Sequence, residues 1–336
     1  MSKAYRRSLL TLYLPEPPVP SERGEDFRTL PQRETADEPN LNALLRDLRT
    51  RQGLVRNVLE DEEAEALPFV SSMSVADGVH SVLASMEKTL GISRSEFRAH
   101  RTVDQGFTYL RRQIESSGVF VLLLGNLGTH HTNIDVEVFR GFASADELAP
   151  FVVINDQDAR TAWSFTLLHE VAHLWIGATG VSGGFSDGKV EVFCNDVASL
   201  FLLDPSELAE LTTASILTAD ELPSAITKFA RSRLVSRSLV AYRLLRSGLI
   251  QEPMWRALRD RFKQEWVDFR TKEKASSKGA PDYYVVKRHR LGRGLISVVE
   301  RGLSQGRLSY TKAARIFGVA PRSVQSVLGG SSGGGA

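Results

Sequence analysis

The run FTLLHEVAHLWIG at 165–177 constrains this chain more than any other stretch. Its apolar residues fall on nearly every side of a helix, and a helix of that kind belongs inside a protein core. His169, Glu170 and His173 are carried into that core with it, and buried polar or charged groups without compensation are costly. His169 and His173 stand at i and i+4, so both imidazoles lie on one helix face and can reach one cation. The competing reading makes them ordinary hydrogen-bonded histidines with Glu170 on a solvated flank. The apolar surroundings speak against it.

A catalytic zinc site usually has three protein ligands and one open position. Glu191 is the leading third candidate, because it begins the next helical pattern, VEVFCNDVASLFLL at 190–203, and shares a face with Asn195 and Ala198. The Gly-rich segment 177–188 lets this second helix fold back on the first. Asp187 is the nearest rival, on a turn where carboxylates more often cap or face water. His130, His131 and Cys194 are weaker ones, and Cys194 reads as a small buried filler. Glu170, one helical step from His169, is expected to activate the attacking water. Zinc is the expected metal, with manganese the alternative.

The rest of the chain sets bounds. Its 336 residues, 42% hydrophobic and 24% charged, suit two or three modest domains. Basic residues precede a short apolar run at the N-terminus, but Pro15, Glu16, Pro17 and Pro18 follow at once, so no signal-peptide core is expected. No stretch approaches the roughly 18 apolar residues of a membrane span. A single cysteine excludes a disulfide framework, and a cytoplasmic location is expected. Formal charge is only +2, yet residues 224–336 hold 23 Lys and Arg against 7 Asp and Glu, a net +16, which leaves −14 for residues 1–223.

Periodicity predicts an α+β fold, mostly helical, with a small three-stranded sheet on the metal-binding helix and a helical C-terminal region. Residues 1–40 read as a flexible arm, 41–117 as a helical region, 118–223 as a zincin-like metallopeptidase core, 224–328 as a basic helical region with helix-turn-helix-like units at 224–250 and 303–328, and 329–336 as a Gly/Ser tail. The strands are expected in GVFVLLL from Gly118, VEVFRGF at 136–142 and PFVVIN at 150–155. Asp156 or Asp158 is expected to cap the metal-binding helix. Residues 303–328 resemble a helix-turn-helix with Ala313, Ala314, Phe317, Val319 and Val324 inside and Gly318 at the turn. Packing alone explains such a unit more often than nucleic-acid binding does.

With these motifs in order, the chain resembles an ImmA/IrrE-type metallopeptidase from about Leu41 to Leu328. The stretches that carry the likeness are VEVFRGFA, APFVVIN, FTLLHEVAHLWIG and VEVFCNDVA. Ser199 to Asp204 departs from the small-residue, glutamate-containing, proline-ended stretch common in relatives. The resemblance implies His169, His173 and Glu191 as zinc ligands and Glu170 as general base. It also implies a protein substrate, a helix-turn-helix repressor or antitoxin, cleaved to switch on stress or mobile-element genes. Direct nucleic-acid binding is not favoured by the likeness. The alternatives are a DNA-associated regulator or an antitoxin-like binding protein with a structural zinc site. His130, His131 and Arg140 are open candidates for oxyanion stabilisation, and an exposed sheet edge for binding substrate as an added strand.

Overall fold

The computed structural model describes residues 38–177, 180–182, 188–212, 221–276 and 282–329. Residues 1–37 of the N-terminal arm, Asp187 and residues 330–336 of the Gly/Ser tail lie outside them, while residues 38–40 belong to the first helix. Four helices come first: α1 (Glu38–Asp61), α2 (Val79–Leu90), α3 (Arg94–Ala99) and α4 (Val103–Ser116). The break between α2 and α3 has the expected chemistry. Gly91 ends α2 in the left-handed region at φ +61°, and the Ser93 hydroxyl caps α3 by accepting from the Glu96 N–H at 3.2 Å.

The sheet follows, with strands β1 (Phe120–Leu123), β2 (Gly141–Ser144) and β3 (Phe151–Ile154), then the metal-motif helix α5 (Arg160–Trp175). A fourth strand, β4 (Gly180–Ser182), lies in the Gly-rich segment between α5 and α6 (Gly188–Leu202). The spatial order is β1-β3-β2-β4. β1 runs parallel to β3, and β2 is antiparallel to both β3 and β4. The three expected strands form, so the α+β class holds with one short strand added. β4 also takes the edge of β2 that the sequence left open.

The middle strand begins later than its apolar run suggests. Val136, Val138 and Phe139 are buried, but in a turn at 136–138 and the residue after it rather than in a strand. Asn155, fully buried at the end of β3, explains this. Its side-chain amide donates to the carbonyls of Ile134 (3.1 Å) and Phe139 (2.9 Å), which supplies by side chain what a strand partner would supply by backbone.

Both faces of the sheet are covered, which is why its strands read as continuous apolar runs rather than alternating ones. Val121, Leu123, Ala143, Val152 and Ile154 point into an inner core with α2, α4, α5 and α6. Phe120, Leu122, Phe142, Phe151 and Val153 point into an outer core.

Three helices extend the inner core: α7 (Leu222–Ser232), α8 (Arg237–Arg246) and the first half of α9 (Glu252–Ser276). The last four, α10 (Tyr283–Leu291), α11 (Arg293–Ser304), α12 (Tyr310–Phe317) and α13 (Val324–Leu328), close the outer core with α1. Gly318 turns from α12 at φ +64°. Ala313, Ala314, Phe317 and Val324 are buried and Val319 is half-buried, as the helix-turn-helix pattern requires. Among the described residues no helix is long and apolar enough to cross a membrane.

Candidate metal centre

Helix α5 is buried from Trp163 to Trp175 save for the half-buried Phe165, as its all-round apolar pattern demands. Its start differs from expectation. Ala159 holds the N-cap position without a side-chain cap, and Asp158, one residue earlier, accepts from the Ala159 N–H at 2.8 Å. Its other end is tied to the loop after α1. The Leu174 and Trp175 carbonyls, which have no partners within the helix, accept from Ser71 (2.9 Å) and Met73 (3.0 Å). Trp175 stacks on Phe69 at 4.5 Å and donates from Nε1 to Ser85 Oγ at 3.0 Å.

On this fixed helix the Nε2 atoms of His169 and His173 stand 3.1 Å apart. Helix α6 folds back along α5, as the Gly-rich connection permits, and brings in Glu191. Its carboxylate oxygens lie 3.2 Å from His169 Nε2 and 3.4 Å from His173 Nε2. Tetrahedral ligands at about 2.0–2.1 Å from zinc must themselves lie about 3.3 Å apart, so the three side chains already have a cation's spacing. Two imidazoles and one carboxylate also form a known catalytic zinc donor set. These three residues are the group of potential ligands within 4.8 Å of one another among the described residues.

The surroundings favour positive charge. Burial opposes a proton on His173, but hydrogen bonds to Cys194 and Glu191 and the negative Glu170 outweigh it and hold its pKa well above 6.5. The same carboxylates would favour a divalent cation. Cys194 is buried against His173, and burial pushes its thiol pKa up. It packs beside a candidate ligand and stands outside the cluster.

Glu170 is fully buried on the same helix. A Cβ added to Gly141, the first residue of β2, would collide with Glu170 Oε1 and sit 2.7 Å from Thr166 Cγ2. Gly141 was not singled out from the sequence. The only signal was a glycine inside a strand pattern, which often marks a close backbone approach.

Arg140, next to Gly141, is half exposed and pairs with the buried Asp158 at 3.1 Å. His131 is exposed in a short 3-10 turn, His130–Thr132, and the side chain of His130 lies outside the described residues. His131 is not among the described residues of the His-His-Glu cluster, and Arg140 is engaged with Asp158. Two surface clefts lie away from the cluster, one lined by Pro223, Thr227, Arg231 and Arg237 and another by His100, Asp104 and Arg112. Within the cluster the two imidazoles are buried, and Glu191, 18% exposed at its side chain, is its most accessible member.

Comparison with known families matches residues 127–245 to the IrrE N-terminal-like domain, Peptidase_M78. No curated protein and no solved structure matches the chain. The matched span runs from the loop before β2 through α8 and contains Gly141, Glu170 and all three clustered side chains. Residues 127–245, which hold the whole cluster, are therefore similar to the IrrE N-terminal-like domain of the Peptidase_M78 family.

Proposed function

We propose that this protein is a zinc-dependent endopeptidase, with His169, His173 and Glu191 as metal ligands and Glu170 as general base. The observation that carries the reading is the convergence of two imidazole nitrogens and a carboxylate at 3.1–3.4 Å within a peptidase-family domain. When bound, the cation polarises the scissile carbonyl and acidifies the attacking water. Glu170 takes the proton from that water and returns it to the leaving amine. Gly141 leaves the carboxylate room beside β2. Substrate must enter on the Glu191 side, and an extended segment pairs along β4, now the sheet edge on that flank.

The substrate class, a helix-turn-helix repressor or antitoxin, is supported by the ImmA/IrrE resemblance alone, and so is the switching of stress or mobile-element genes. The test compares protein N-termini in cells expressing the wild type or Glu170→Gln. New termini within small DNA-binding regulators, seen only with wild type, are expected. Identical termini in both strains under stress and in its absence would remove the proposal. Proline placed within the cleaved segment should block cutting, and undiminished cutting of every proline variant would count against strand pairing.

A further inference from the structure

The basic excess of the C-terminal third divides into two parts once ion pairs are considered. In α7 to α9 much of it is matched. Arg233 meets Glu207 and Glu210, Arg237 and Arg261 share Glu265, and Arg246 meets Asp196. Residues 282–329 differ, with nine Lys and Arg against two carboxylates, Asp282 and Glu300. Among the described residues only Arg290 and Arg301 of those nine reach a carboxylate, Asp156 at 2.7 Å and Glu62 at 3.0 Å. Lys312 on α12, Arg315 on α12 and Arg322 just before α13 are exposed and have no such partner among the described residues.

These three cations occupy the solvent side of the helix-turn-helix unit, whose other side is spent on the outer core. Gln325 and Ser326 are exposed on the second helix, and Gln325 Nε2 donates to the Tyr310 hydroxyl at 2.7 Å, joining the two helices across their outer faces. Arg288 donates to the Ser326 carbonyl at 3.0 Å and holds the second helix from α10. The unit is thus a braced surface rather than a loose tail. Lys287 reports the crowding of positive charge nearby. Burial first, and then Arg51 and Arg290, push its pKa down to about 8.

We infer that this face of α12 and α13 docks on duplex DNA, with Lys312, Arg315 and Arg322 against backbone phosphates. A duplex fits better than an acidic protein for two reasons. Protein interfaces centre on apolar residues, and this face offers Arg322, Gln325 and Ser326, with Tyr310 its one large exposed apolar group. The short helical stretch 321–328 also spans roughly 12 Å, the width of the major groove, where amide and hydroxyl groups can meet base edges. The inference does not rest on the peptidase reading, because α12 and α13 pack on the opposite face of the sheet from α5.

The experiment is fluorescence anisotropy of the whole 336-residue chain, zinc-supplemented, with a labelled 24-base-pair duplex. Polyglutamate serves as competitor, and zinc content is measured in parallel. Duplex binding is expected, weakening about 40-fold between 50 and 200 mM salt if three phosphates are contacted. The triple variant Lys312→Glu, Arg315→Glu, Arg322→Glu should bind at least about 10-fold more weakly while keeping its zinc, since all three positions face water. No binding at 50 mM salt would overturn the inference. So would undiminished binding by the triple variant, or polyglutamate displacing the duplex at equal charge.

Discussion

The backbone of Gly141 lies against the carboxylate of Glu170, so closely that a single added carbon would overlap Oε1. This contact puts the proposed base under the control of a strand rather than of its own helix alone. Gly141→Ala should leave metal binding within about 3-fold of wild type but lower kcat by about 100-fold, the scale of misplacing a general base. Metal titration beside peptide hydrolysis separates the two effects. An alanine variant with wild-type turnover would show that Glu170 does not need the space.

Glu191 supplies both oxygens that face the imidazole pair. Glu191→Ala should weaken zinc binding by at least about 100-fold, since losing a direct ligand costs no less than losing an outer-shell partner. Asp187→Ala should leave zinc stoichiometry at one. Isothermal titration of both variants decides between the two carboxylates.

Arg111 on α4 is a buried cation that ties three elements together. It pairs with Glu115 at 3.2 Å and donates to the carbonyl of Val121 in β1 and to that of His289 in α10 at 2.6 Å. Arg111→Leu takes the cation from the buried Glu115 carboxylate, which keeps the Arg293 N–H at 3.1 Å, and releases those carbonyls. Removing one partner of a buried pair typically costs about 3–5 kcal/mol, and urea unfolding should register a loss of that order. Leu at both 111 and 115 should recover part of it.

Lys287 predicts a pH effect with a definite sign. Its folded pKa of about 8 lies below the usual 10.5, so between these values the unfolded chain binds more protons than the folded one. Stability must therefore rise with pH across that window through this group. Lys287→Met removes the contribution. The variant should exceed wild type by about 1–3 kcal/mol near pH 7, and the gap should close as pH passes 10.5. Paired urea melts at pH 7, 9 and 10.5 measure it, and a constant gap would refute the assignment.

What could be read without coordinates was local. The spacing of His169 and His173 and the unbroken apolar run around them specified a buried helix with two rings on one face, because helical periodicity is a property of neighbouring residues. The strand at Phe151–Ile154 and the caps at Gly91 and Ser93 were legible for the same reason. The late start of β2 was not, since it depends on Asn155 reaching back to Ile134 and Phe139 across the fold. Nor was the proximity of Gly141 and Glu170, 29 residues apart on different elements.

Charge shows the division most clearly. Composition located the basic excess in the C-terminal third, but only packing revealed which cations find carboxylates. Arg233 and Arg237 are matched by residues brought close in space, whereas Lys312, Arg315 and Arg322 are left facing solvent. Sequence alone identified the candidate ligand types and the helix that carries two of them. Tertiary structure decided that Glu191 meets them, that the sheet is walled on both faces, and where positive charge stays uncompensated. The physical reason is range: helical spacing and capping act over a few residues, while coordination, burial and ion pairing require groups far apart in the chain to arrive within a few ångströms.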